Sequence, residues 1–172
     1  MKRAGFLVAV LLVLGMLAPS ACTKSDSDFG LYLADSGEQV LGLEDIQAYH
    51  SLDSSLELTP QGIEKWNSFQ TSTDIPKLAQ SLYQRDFIIK IDGNELCRGK
   101  FYSMVSSASY NGIVIMDSIV KLDSTHNSLR IEFGYVQTVP AAEKDRIATA
   151  LDSYFDGKGM RVEDKGYWFG QE

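Results

Sequence analysis

The sequence predicts an α+β fold, a mostly antiparallel sheet with two or three helices packed on one face. Three observations carry that reading. "DFIIKIDGNELCRGKF" (86–101) holds two alternating apolar runs around Asp92-Gly93, the pattern of a hairpin with a tight turn. Thr59-Pro60 and Pro140 each precede apolar residues at helical spacing. Strand-like and helix-like stretches follow one another in mixed order, with the hairpin in the middle.

In chain order, "FGLYLAD" (29–35) alternates around Leu31 and Leu33 as a strand, Ser36-Gly37 marks a turn, and "EQVLGL" forms a short second strand. "LEDIQAYHS" (43–51) reads as a single helical turn before the next strand. "LDSSLEL" (52–58) places Leu52, Leu56 and Leu58 on one face. Thr59 caps the next helix and Pro60 fits its first position, where a missing N–H costs nothing. Ile63, Trp66 and Phe69 follow at helical spacing, while Gly62 weakens that helix by up to about 1 kcal/mol. Pro76 opens a second short helix through Leu82. After the hairpin, "GIVIMD" (112–117) and "SLRIEFGYV" (128–136) are strands, the latter alternating Leu129, Ile131 and Phe133. Pro140 begins a last helix with Ile147, Leu151 and Phe155 on one stripe and Gly157 as its terminator. "MRVEDKGYWFGQE" (160–172) has no period; Tyr167, Trp168 and Phe169 either dock on the body or form an exposed patch.

The N-terminus reads as a secretory signal. Lys2 and Arg3 precede an apolar run from Ala4 to Ala18, shorter than the roughly 20 residues needed to span a bilayer and followed by small residues. Pro19-Ser20-Ala21-Cys22 resembles the lipobox of bacterial lipoproteins. In that family the cysteine thiol receives a diacylglyceryl group, and cleavage makes the cysteine residue one. Ser20 and Ala21 fit that pattern, whereas Pro19 stands where the family usually has Leu or another aliphatic. The resemblance implies lipidation of Cys22 and attachment to a membrane outside the cytoplasm, each buried CH₂ adding about 0.8 kcal/mol. Thr23-Lys24 lacks the aspartate associated with inner-membrane retention, so in a diderm cell the outer membrane is the expected destination. The departure at Pro19 leaves a second reading open, a soluble secreted chain in which Cys22 pairs with Cys97, the only other cysteine. If Cys22 is lipidated, Cys97 is a buried, inert thiol.

The expected organisation is a signal peptide (1–21), a lipidated flexible tether (22–28), one α+β domain (29–157) and a C-terminal tail (158–172). The 172-residue chain carries a formal charge of −7; losing residues 1–21, with two cations and no acid, takes it to −9. So acidic a chain offers nucleic acid no electrostatic footprint, and any membrane affinity must come from lipid rather than from a basic patch.

"LELTPQGIEKW", "FIIKIDGNELCRG", a Ser-rich turn and "GIVIMD" are together similar to the periplasmic head of SecD-type protein-export subunits. A longer pattern, "LEDIQAYH", "LTPQGIEKW", "GKFYSMVSSASYNGIVI" and "KDRIATALDSYF", resembles small bacterial lipoproteins without an assigned activity and covers about residues 39–157. The resemblance implies a small two-layer head, SecD-like or ferredoxin-like. It implies no export activity, since the transmembrane helices of that subunit are missing, and it transfers no catalytic motif.

Candidate sites are few. The two histidines, His50 and His126, and the serines of "SMVSSAS" (103–109) give an envelope hydrolase reading with Ser106 or Ser107 as nucleophile, but no G-x-S-x-G elbow accompanies them. There is no H-E-x-x-H, no paired C-x-x-C, no EF-hand spacing and no Gly-rich phosphate loop, so neither metal nor cofactor is expected. "GKFYSMVSSASYNG" (99–112) sets Phe101, Tyr102, Met104 and Tyr110 among Ser106, Ser107 and two further serines. Apolar groups with adaptable hydroxyls suit a binding surface for a peptide or envelope protein; the competing account is two strand ends, a core Phe101 and a polar turn.

Overall fold

The structure, a computed structural model, describes residues 28–70, 81–110, 112–134 and 139–167. The expected signal peptide, Cys22, most of the tether, the Pro76 helix up to residue 80 and Trp168-Phe169 lie outside the described residues.

The chain is α+β. Among the described residues, nine strands form one sheet in the order β2-β1-β5-β6-β7-β8-β4-β3-β9: β1 (Gly30–Leu33), β2 (Gln39–Gly42), β3 (Ile46–His50), β4 (Ser55–Leu58), β5 (Asp86–Ile91), β6 (Asn94–Phe101), β7 (Ile113–Ile115), β8 (Ser128–Phe133) and β9 (Arg161–Val162). Six of the eight pairings are antiparallel; β6 with β7 and β3 with β9 are parallel. Among the described residues two helices pack against the sheet, α1 (Pro60–Ser68) and α2 (Ala141–Gly157). Helix α1 touches both β2 and β4, first and seventh in the order, and α2 reaches β6, β3 and β9. Only a curled sheet brings such separated strands to one helix.

Each element follows from its residues. At the β5–β6 turn both Asp92 and Gly93 have positive φ, +50° and +76°, the pair that a type I′ hairpin requires. A bulge after Ile89 shifts the pairing from Ile89↔Cys97 to Lys90↔Glu95. Thr59 Oγ1 accepts the Gly62 amide at 3.0 Å, and Pro60 sits in the first turn of α1. Trp66 from α1 and Ile147, Leu151 and Phe155 from α2 enter the same buried core as Leu31, Leu33, Leu56, Phe87, Ile89 and Ile131.

Local expectations shift at four places. The helical turn at 43–51 is confined to a 3-10 turn at Leu43–Asp45, and Ile46–His50 pairs as β3 with β4, since backbone pairing satisfies more groups than one further turn would. Leu52 leaves the face of Leu56 and Leu58: it lies in the β3–β4 turn and is exposed. Gly157 stays helical, and Gly159, at φ +68°, supplies the left-handed residue that ends α2. The stretch expected as a tail joins the sheet at β9 and remains in backbone contact through Tyr167, whose side chain nonetheless stays 71% exposed.

Candidate functional site

Residues 102–112, described except for 111, connect β6 to its parallel neighbour β7. Parallel neighbours cannot be joined by a tight hairpin; the connection must leave the plane of the sheet and return. Side chains alternate across a strand, so Phe101 and Tyr102 part company here. Phe101 points into the core, against Phe87 at 5.1 Å and Trp66 at 6.0 Å between ring centroids. Tyr102 points to the other face, where it forms a satellite cluster with Val114 and Met116, and Tyr110 packs on it. Tyr83 completes the cover, 5.9 Å from the Tyr102 ring.

Polar contacts hold the connection in shape. The Tyr102 hydroxyl donates to the Ala108 carbonyl, and Tyr83 Oη and Ser106 Oγ share a hydrogen bond of 2.5 Å. Ser106 N donates to the Ser103 carbonyl at 3.0 Å, closing a turn whose central residues are Met104 and Val105. Ser103 is buried beneath it, whereas Met104 and Val105 are 43% and 76% exposed. The result is a braced turn with two apolar side chains at its tip. Ser107 is exposed beside it. Lys100 Nζ stands 5.8 Å from the Tyr110 ring centroid and pairs with Asp86 at 2.6 Å.

Under the tip lies Asp117, at φ +62° and almost fully buried. Its Oδ1 accepts the Met104 amide at 3.5 Å, and its buried Oδ2 has no partner among the described residues. Burial raises its pKa against the pull of the Met104 amide and the positive charge of Arg130.

Of the six residues read as a binding surface, then, Met104 and Ser107 face solvent, Ser106 and Tyr110 are half-buried, Tyr102 forms the floor and Phe101 belongs to the core. Sequence reasoning missed Val105, Tyr83 and Asp117. The signal for Val105 was present, a β-branched apolar residue among serines where no strand period demands one. Tyr83 and Asp117 are brought in only by the tertiary fold.

The histidines have other company. His50, on β3, has Nδ1 2.5 Å from Asp164 Oδ1 and Nε2 3.1 Å from Glu57 Oε2. His126 Nδ1 is 3.6 Å from Asp123 Oδ1. Among the described residues no three His, Cys, Asp or Glu side chains gather as a metal site, and no helix is long and apolar enough to cross a membrane. Cys97 is 6% exposed within the core cluster, and burial pushes its thiol up to about 12.

Comparison with family models, curated proteins and solved structures returns no match to this chain.

Proposed function

We propose that the chain is a lipid-anchored lipoprotein of the cell envelope, lipidated on Cys22 and facing outside the cytoplasm, at the outer membrane in a diderm cell. Its head serves as a non-catalytic module that binds an envelope protein or peptide through the turn at Met104–Val105. The observation that carries the binding reading is that tip: two large apolar side chains held in water on a turn braced by Tyr83, Tyr102 and Ser106. A pre-ordered loop loses less entropy on docking than a slack one, and methionine adapts to varied apolar partners.

The anchor rests on the lipobox-like Pro19-Ser20-Ala21-Cys22 and the apolar run before it. Burial of Cys97 favours it over the soluble, disulfide-bridged alternative, because a bridge would need Cys22 to reach a sulfur under the core's own cover. The hydrolase reading has no comparable support. Both ring nitrogens of His50 face carboxylates, and Ser106 Oγ is engaged by Tyr83. A two-layer likeness to SecD-type heads belongs to the same proposal, supported by the succession β4, α1, β5, Asp-Gly turn, β6, β7.

Two measurements test the proposal. The intact mass of the mature chain carries fatty acyl groups on Cys22 if the anchor is right, and is short by two hydrogens if a disulfide forms instead. A photo-reactive residue at position 105 in living cells captures a discrete protein, while the same residue at exposed Glu143 does not. Equal labelling from both positions removes the binding reading.

A further inference from the structure

The last described stretch, Met160–Tyr167, is a strap fastened by main chain along its length. Tyr49 and Ser51 donate their amides to the Met160 and Val162 carbonyls at 2.8 and 3.0 Å. Leu52 donates to the Asp164 carbonyl and Ser128 to the Tyr167 carbonyl, both at 3.1 Å. Gly166 N donates to Asp53 Oδ1 at 3.3 Å, and a β-carbon on Gly166 would lie 2.7 Å from Ser55 Cβ. The strap therefore lies flush on the sheet, although only Arg161–Val162 forms a regular ladder.

Ser51 Oγ also donates to the Val162 carbonyl at 3.2 Å, and an ionisable side-chain pair joins the strap to the sheet at Asp164. Asp164 Oδ1 meets His50 Nδ1 at 2.5 Å, and the opposite nitrogen of the ring meets Glu57 Oε2 on β4 at 3.1 Å. The His50 side chain is 9% exposed, so water does little to stand in for a lost partner. Glu57 is held independently, its Oε1 accepting Gln47 Nε2 and Asn127 Nδ2 at 3.1 and 3.0 Å. A singly protonated imidazole donates from one nitrogen only and turns a lone pair toward the carboxylate at the other. Both contacts are hydrogen bonds only when both nitrogens carry hydrogen.

The remaining charges nearby do not substitute for His50. Asp53, in the β3–β4 turn, is engaged by Ser55 Oγ and the Gly166 amide. Arg130 lies across β4, opposite Ser55, which itself pairs with His50. On the strap, Arg161 faces Asp152 of α2 at 3.6 Å, and Glu163 and Lys165 are exposed.

We infer that Met160–Tyr167 is a latch whose hold on the sheet depends on the protonation of His50. With the imidazolium present, Asp164 and Glu57 both accept hydrogen bonds and the strap is fast. When rising pH removes one proton, one contact becomes a lone pair against a carboxylate and the strap loosens. Its release bares the amides of Tyr49 and Ser51 on β3. This inference is independent of the lipid anchor and of the loop at Met104.

Hydrogen exchange between pH 5.5 and 8.5, corrected for the intrinsic pH dependence of exchange, tests it. In the full chain, protection of peptides covering 49–52 and 160–167 falls about tenfold more across that range than protection of the β5–β6 hairpin, the scale of one charge-assisted hydrogen bond. In His50→Gln that extra fall disappears. Asp164 is 59% exposed, so Asp164→Asn keeps the fold if His50→Gln does not, and it too flattens the profile. A wild-type strap no more pH-sensitive than the hairpin, or an unchanged profile in whichever variant folds, overturns the latch.

Discussion

The carbonyl oxygen of Asp45 stands 2.2 Å from where a β-carbon on Gly62 would be. That distance explains a glycine in the first turn of α1. The helix is pressed onto the 3-10 turn before β3, where Thr59 N donates to the Asp45 carbonyl at 3.0 Å and Lys65 Nζ meets the buried Asp45 carboxylate at 2.6 Å. The Gly42 amide donates to the same carboxylate at 2.8 Å. Close approach here secures hydrogen bonds that outweigh the helix propensity glycine gives up.

Gly62→Ala therefore destabilises the protein, by about 1–3 kcal/mol as overpacking usually does, although alanine is the better helix former. Gly157, near the end of α2, has open space where its β-carbon would go, and Gly157→Ala stabilises by up to about 1 kcal/mol. Opposite signs in paired thermal melts are the expected result. A rise in Tm for both would mean that α1 does not sit this close to Asp45.

Asp117 makes stability depend on pH. Its folded pKa is raised above the ordinary 3.8, so the folded state holds the proton more tightly than the unfolded chain does. This group's contribution is fully present below 3.8 and is lost as pH climbs through the raised value. Asp117→Asn keeps an acceptor for the Met104 amide, suits φ +62° and cannot ionise. The variant melts higher than wild type at pH 7, and the gap narrows as pH falls toward 3; denaturation curves at both pH values read it directly.

Burial of Cys97 predicts a silent thiol. In a Cys22→Ser background, native protein at pH 8 reacts with a disulfide exchange reagent far more slowly than unfolded protein, since the thiolate is the reacting form and burial holds this thiol at about 12. Equal rates in folded and unfolded protein would put Cys97 at the surface.

Legibility in the sequence followed the range of the interactions. Asp92-Gly93 and Thr59-Pro60 act within a few residues, and the hairpin and α1 form where those residues stand. Strand β9 escaped notice because two residues carry no period and its partner β3 is more than 100 residues away. The two parallel pairings are likewise long-range facts that no turn residue announces. At the candidate site, alternation explains why Phe101 and Tyr102 face opposite sides of the sheet, but beyond Phe101 the chain is irregular. There the exposure of Val105 and the burial of Tyr102 depend on Val114, Met116 and Tyr83, contacts that the fold alone supplies.

The satellite cluster lets stability be tested apart from the proposed recognition at the turn above it. Val105 is 76% exposed, so Val105→Ser changes stability by no more than about 0.5 kcal/mol while removing half of the apolar tip. Val114, fully buried under Tyr102, is structural: Val114→Ala leaves a void and costs about 1–3 kcal/mol, and the turn above it exchanges amide hydrogens faster. With the photo-reactive residue moved to position 107, beside the tip, Val105→Ser loses most partner capture at unchanged Tm. Val114→Ala lowers Tm and loosens the turn even when no partner is present. If Val105→Ser captures as well as wild type, the apolar tip is not what the partner recognises, however well the turn is braced.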